Sequence, residues 1–243
     1  MKLEFLGTGA ADWRGPAANG ELRRMTSTRF DGALLIDLTA SALEQIADPA
    51  EITDLLITHS HSDHFDSAAI ARIAPVNVHI DEGWAGRVTI PGCTVHPVRE
   101  GVPFTAGGFT VTGMRGNHST EGDGEHTLHY LLQKDGKNVY YATDCAWLLY
   151  KEAQLIRANP LDALVIDATI GDGHAGDFRV FEHNSLPMVR IMVDTMRQTG
   201  MLKEGAPVFL THLARTLHVS QAELEAANPA PYVVCRDGLT AEI

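Results

Sequence analysis

Residues 59–64 read His59-Ser60-His61-Ser62-Asp63-His64 and follow directly on an apolar, strand-like run, Leu55-Leu56-Ile57-Thr58. Four of the six side chains are metal-ligand types. A strand ends here with ligands at its tip, and that constrains the fold more than any other stretch. Residues two apart in an extended chain point to the same side, so His59 and His61 converge on one ion. The turn that follows throws Asp63 and His64 towards a second position nearby. Imidazole with carboxylate suits zinc, manganese or iron, whereas calcium takes oxygen ligands only. The competing reading is a His-rich surface loop without a site. Ligands elsewhere in the chain decide between the two.

With 243 residues, 44% of them hydrophobic, there is chain enough for one large domain or two small ones. No Ser/Gly/Pro-rich linker, low-complexity tract or fixed-period repeat divides it, so a single domain over residues 1–243 is expected. The chain goes straight into Leu3-Glu4-Phe5-Leu6 without the basic and apolar regions of a signal peptide. No apolar stretch approaches the roughly 20 residues of a membrane span. Cys93, Cys145 and Cys235 are scattered and odd in number, which fits a reducing cytoplasm better than a disulfide framework. A formal charge of −12 argues against a broad nucleic-acid surface. Bound divalent cations would offset part of that charge, and a small anionic substrate stays open.

Along the chain, Met1 to Leu6 reads as a strand and Gly7-Thr8-Gly9 as a turn. Residues 10–27 form a loop, and Arg29 to Leu38 reads as a second strand. A short helix follows over Ser41 to Ala47, and another, Ser67 to Ile73, lies after the His cluster. Residues 76–115 carry repeated Gly and Pro punctuation between short strands, an antiparallel pattern. The second half reuses the layout. Strands are expected at Thr127 to Lys134 and Val139 to Ala142, around the turn Asp135-Gly136, then at Ala163 to Ile166 and Val208 to Thr211. Helices are expected over Ala146 to Ala158 and Pro187 to Gly200. In the latter, Met188, Ile191, Met192, Thr195 and Met196 sit at helical spacing as core. Ser220-Gln221-Ala222-Glu223 is a capping box. Two strand-rich halves with helices imply two sheets packed face to face, helices outside.

Three more apolar runs end in ligand-type residues. His118 follows a strand-like run at Arg115-Gly116-Asn117, Asp144 ends Val139 to Thr143, and His212 ends Val208 to Thr211. Singly each is an ordinary loop residue. Together with residues 59–64 they are hard to assign to chance.

Phe5-Leu6-Gly7-Thr8-Gly9, Leu35-Ile36-Asp37, Thr58 to His64, His118, Asp144 and Thr211-His212 resemble the metallo-β-lactamase superfamily along its whole length. That resemblance implies an α/β fold, a four-layer αββα sandwich with a two-metal site at the sheet edges. Asp167-Ala168-Thr169, Glu182-His183-Asn184-Ser185 and Arg236-Asp237-Gly238 are most similar to the branch holding ribonuclease Z and the phosphodiesterase of phosphonate breakdown. By that resemblance His59, His61 and His118 hold one ion, Asp63, His64 and His212 a second, and Asp144 bridges them. The two divalent ions, Zn2+ or Mn2+, would leave a place between them for a water or hydroxide. Asp37 would orient a ligand from behind, or is an ordinary strand-end turn residue. The catalytic residues would be Asp63, His183 as proton donor to the leaving oxygen, and Asp167 orienting His183.

The chain departs from the branch in two respects. Residues 10–27 lack the cysteines of an extra structural zinc, and no long arm for tRNA is present. Phe65-Asp66-Ser67 stands where the superfamily commonly has a Gly, which leaves substrate shape open. His79 and His96 read as structural or exposed. His126, Asp172, His174, Asp177, Arg179, Arg23 and Arg24 are pocket-lining candidates. The expected activity is hydrolysis of a small or cyclic phosphodiester. A thioester, lactone or β-lactam hydrolase, a metal- or nucleotide-sensing protein of the same fold, and a tRNA 3′-processing nuclease are the alternatives. The expected partner is a small-molecule phosphodiester, with neither nucleic acid nor membrane; a homodimer is admitted but not required.

Overall fold

The computed structural model describes residues 1–243. Its first sheet uses β1 (Lys2–Gly7), β2 (Ser27–Phe30), β3 (Leu34–Ile36), β4 (Asp54–Leu56), β5 (Asn77–Asp81) and β6 (Thr94–Val98). The chain then crosses to a second sheet of β7 (Pro103–Ala106), β8 (Phe109–Arg115), β9 (Leu128–Lys134), β10 (Lys137–Ala142), β11 (Ala163–Asp167), β12 (Val208–Thr211) and β13 (Tyr232–Val234). Finally β14 (Leu239–Glu242) returns to the first sheet beside β1. The strand orders are β14-β1-β2-β3-β4-β5-β6 and β7-β8-β9-β10-β11-β12-β13. Each sheet starts antiparallel and turns parallel midway, after β3 in one and after β10 in the other.

Both faces of the central strands are buried, and successive side chains alternate between two apolar layers. In β10 and β11, Val139, Tyr141, Ala163 and Val165 face the layer between the sheets. Tyr140, Ala142, Leu164 and Ile166 face outward, under α4 (Tyr150–Ala158), α5 (Leu186–Gln198) and α6 (Gln221–Ala227). In the first sheet Leu34, Ile36 and Leu56 face inward. Leu35, Leu55 and Ile57 face α1 (Ala40–Leu43) and α2 (Ser67–Ala71), with α3 (Glu82–Ala85) at the same side. The inner layer is aromatic across the seam: the Phe5 and Phe209 rings lie 5.3 Å apart, and Phe30 meets Phe109 and Tyr141 edge-on. This is the expected αββα sandwich. No helix is long and apolar enough to cross a membrane.

Several expectations need correction. The strand expected over 29–38 is two strands, because Asp31 and Gly32 adopt φ of 46° and 77° and reverse the chain. Residues 76–115 are not uniformly antiparallel: β5 and β6 pair in parallel, and only β7 and β8 form a hairpin. The helix expected from Ala146 starts at Tyr150, since residues 145–149 are engaged in the site loop. The helix expected over 41–47 shortens to α1. In α5, Met188, Met192 and Met196 are buried as expected, whereas Ile191 is 58% exposed.

Candidate metal centre

The ligand-type residues come from strand ends of both sheets and meet in the seam between them. The loop after β4 supplies His59 to His64, the loop after β8 supplies His118, the loop after β10 supplies Asp144, and the residue after β12 is His212. His59 Nε2 lies 2.9 Å from His61 Nδ1, which lies 3.2 Å from His118 Nε2. A second group adjoins it: His64 Nε2 is 3.3 Å from His212 Nε2, and Asp63 Oδ2 is 3.4 Å from both. The Asp144 carboxylate sits between the groups, its Oδ2 against His64 Nε2 and 3.6 Å from His59 Nε2.

The outward nitrogens fix the tautomers. His64 Nδ1 donates to Asp37 Oδ2 at 2.7 Å, and His118 Nδ1 donates to the Glu182 carbonyl at 3.0 Å. The Thr58 hydroxyl donates to Asp37 Oδ2 and so accepts from His59 Nδ1 at 3.0 Å. In the same way the Thr169 hydroxyl, donating to Asp167 Oδ2 or to the His212 carbonyl, accepts from His212 Nδ1 at 2.8 Å. With each proton directed outward, the inner nitrogens present lone pairs to one another and to two carboxylates. Asp144 Oδ1 is buried without a hydrogen-bond partner. Positive charge between these atoms would satisfy them, and N/O donors in this number suit a divalent transition metal. The residues fit such an ion.

The electrostatics point the same way. Burial pushes His64 and His212 down, yet the carboxylates around them more than offset it: His64, beside Asp144, Asp63 and Asp37, lies well above the usual imidazole range, and His212, beside Asp144, is raised to about 9. Burial raises the carboxyls of Asp63 and Asp144, but the surrounding imidazoles bring both well below the ordinary range. Asp37, fully buried, is raised. His59 is lowered by burial and by His64.

Residues 32–213 match the family model described as the beta-lactamase superfamily domain. The chain belongs to the metallo-β-lactamase superfamily of hydrolases. No functionally curated protein matches it in sequence. Among solved structures it resembles Zn2+-bound PqqB from Methylobacterium extorquens, at 19% identity and a TM-score of 0.73 over 100% of both chains. It also resembles a diphosphatase of the PhnP family, at 20% identity and 0.73, over 99% of this chain and 96% of that one. Human tRNase Z, short form, is similar at 18% identity and 0.70, over 100% and 99%.

In this superfamily protein the donors open on a cavity of about 200 Å3 lined by His61, Asp63, His118, Asp144, His183 and His212, with Asp12, Thr169, Arg179 and Glu182. His183 Nδ1 donates to Asp167 Oδ2 at 2.9 Å and lies 3.2 Å from Asp144 Oδ1. Its ring stacks on His212, centroids 5.4 Å apart. Burial lowers His183, but Asp167 and Asp144 outweigh it and raise it to about 10. Asp167 is fully buried, and His183 helps hold its carboxyl far below the ordinary range despite that burial.

Of the pocket candidates, Arg179 alone reaches the cavity, held by Asp177 through Nε at 2.8 Å and Nη2 at 2.9 Å. Arg23 is buried instead, donating to Thr8 Oγ1 and the Cys235 carbonyl, and Arg24 pairs with Asp237. Asp172 pairs with Arg190, and His126 lies against Asp81, 3.6 Å away. His174 is exposed in the short 3-10 turn Asp172–His174, outside the cavity lining.

Four contributors went unread in the sequence. Thr58 hydrogen-bonds His59 and His64, and Thr169 hydrogen-bonds His212 and His183. Glu125 clamps the hexapeptide, accepting from Ser60 N and Oγ at 2.7 Å each. Trp147 holds φ of 64° with its N–H on Asn184 Oδ1, beside His183. A Thr next to a ligand at a strand end was an available signal for the first two. Nothing local marks Glu125, 65 residues from its partner.

Proposed function

We propose that the protein is a phosphodiesterase that hydrolyses a small or cyclic phosphodiester with two divalent ions, Zn2+ or Mn2+. His59, His61 and His118 would hold one, Asp63, His64 and His212 the other, and Asp144 both. Bound there, such ions activate a water and balance negative charge on phosphoryl oxygens. The chain's own part begins with orientation: Asp37, Thr58, Thr169 and the Glu182 carbonyl fix the ligand rings from behind. Asp167 accepts a hydrogen bond from His183 Nδ1–H, which leaves Nε2 to face the cavity. From Nε2 His183 gives a proton to the departing ester oxygen, and Asp167 keeps the imidazolium favourable until it does.

The observation that carries this reading is the Asp167–His183 pair set against Asp144 on the cavity wall. A charged acid beside the ligands suits an alkoxide leaving group, which departs slowly unless protonated. The chain's net charge of −12 favours a small substrate over a long nucleic acid.

Two variants test it. Asp144→Asn is expected to abolish metal binding and turnover together, read by metal analysis of the purified protein. His183→Ala is expected to keep its metal, to lose about 10²- to 10⁴-fold in kcat/KM on a diester with an alkyl leaving group, and to lose far less on bis(p-nitrophenyl) phosphate. Equal losses on both diesters would remove the proton-donor role. A wild-type enzyme that turned over thioesters or lactones and no phosphodiester would replace the reading altogether.

A further inference from the structure

Residues Phe178–Phe181 form a single 3-10 turn on the cavity wall. Three residues per turn eclipse positions i and i+3, so this turn has three separate faces. Val180, on one, packs against the buried Ala10, Ile170, Ala214 and Leu217 and anchors the turn. A second presents Arg179 and, just after the turn, Glu182 to the cavity. The third carries Phe178 and Phe181, 83% and 68% exposed, their ring centroids 5.4 Å apart at 59°. The turn is tied to the centre at its far end, where the Glu182 carbonyl accepts from His118 and the His183 N–H donates to the Arg179 carbonyl.

Single exposed apolar side chains are ordinary, but a mutually packed aromatic pair in water, on the same turn whose Arg179 and Glu182 line a polar cavity, points to a ligand. The cavity itself supports this. Its volume of about 200 Å3 lies below the roughly 300–1,000 Å3 of pockets that enclose a drug-sized ligand. It has room for the phosphodiester head, and the rest of a larger ester must lie across the rim. We infer that Phe178 and Phe181 form a shelf for a planar aromatic group esterified to the phosphate. The inference rests on the phosphodiesterase reading and names its substrate class: a diester carrying an aromatic ring next to the scissile phosphate. Rings favour tilted or offset contacts at centroid distances of about 4.5–7 Å, which two rings at 59° offer to a third.

The test is calorimetric titration of the zinc-loaded protein with diphenyl, dicyclohexyl and dimethyl phosphate, for the wild type and for F178A/F181A. Both side chains are exposed, so the double variant leaves the core intact. Diphenyl phosphate is expected to bind about three- to tenfold more tightly than either other diester, and the double variant to bring that ratio near one. Three similar affinities, a preference for the non-planar dicyclohexyl ester, or a preference that survives the substitutions would overturn the shelf. So would a wild type that sediments as a dimer and a variant that sediments as a monomer with the ratio unmoved, which would assign the pair to contact between copies. A protein that shows the aromatic preference but hydrolyses no phosphodiester would retain the shelf and discard the proposed activity.

Discussion

Asp37 and His212 follow directly on a strand and Asp144 one residue later, and each adopts a left-handed backbone, with φ of 57°, 56° and 52°. That conformation costs about 1–2 kcal/mol for a residue with a Cβ. Here it turns a side chain out of the strand direction and into the seam, which an extended residue could not do. Behind these residues stand two hydroxyls in matching positions. Thr58 touches Asp37, His59 and His64; Thr169 touches Asp167, His183 and His212. Thr169→Val keeps the shape and deletes the hydroxyl that accepts from His212 Nδ1 at 2.8 Å. We expect metal affinity to weaken about 10- to 100-fold, by the measure of similar outer contacts, with a lower kcat. Competition with a chromophoric chelator reads the affinity; an unchanged value would make Thr169 a bystander. The candidate ligands themselves were legible because they follow apolar strand-like runs. The threonines were not, because at a strand end a β-branched residue looks like part of the strand. Arg23 was misread for a related reason: its charge suggested a substrate contact, whereas it lies over Trp13 at 5.9 Å and ties the entry loop to Cys235 and Gln221.

At the scale of elements, local signals held where the deciding contacts were local. The capping box at α6 is reciprocal: Ser220 N donates to Glu223 Oε2 at 3.0 Å and Glu223 N donates back to Ser220 Oγ. Ser220→Ala is expected to cost about 1 kcal/mol, read as a shift of the urea midpoint without a change in activity. A shift of the cap's size is testable because α6 spans seven residues, Gln221–Ala227, and buries Leu224 alone. Where pairing is non-local the reading failed. Alternating strands of β5, β6, β7 and β8 look alike in sequence, yet two pair in parallel and two form a hairpin, since partner choice depends on a crossover and not on the strand. The Asp31-Gly32 reversal hid inside an apolar run for the same reason: the residues on either side are equally buried in one strand or two.

Across the whole molecule, four carboxylates, Asp37, Asp63, Asp144 and Asp167, are buried in one seam with six imidazoles close by. Burying so much charge opposes folding unless it is compensated. Cations bound there would offset it, because they would bind the folded seam and not the unfolded chain. With free metal at a hundredfold its Kd, the folded state should gain about 2.7 kcal/mol. Chelation is therefore expected to lower the urea midpoint by a corresponding amount, and restored metal to recover it. A midpoint indifferent to chelator would mean that the seam is stable on its protein contacts alone. The apolar interior supports the same geometry from below. Phe5 meets Phe209 across the sheets, and Tyr130 donates to the Ile57 carbonyl at the last residue but one before His59.

The sequence by itself determined which residues are able to hold a metal, and that strands deliver them, because ligand chemistry belongs to side chains and strand periodicity is local. It also carried the αββα layering, since strands buried on both faces need covering on both. Only the tertiary structure decided which nitrogens face inward, which hydroxyls and carbonyls fix them, and which arginine reaches the cavity. Those outcomes depend on contacts between segments as far apart as Ser60 and Glu125, or Arg23 and Cys235, and on backbone conformations at Asp37, Asp144 and His212 that residue type alone does not impose.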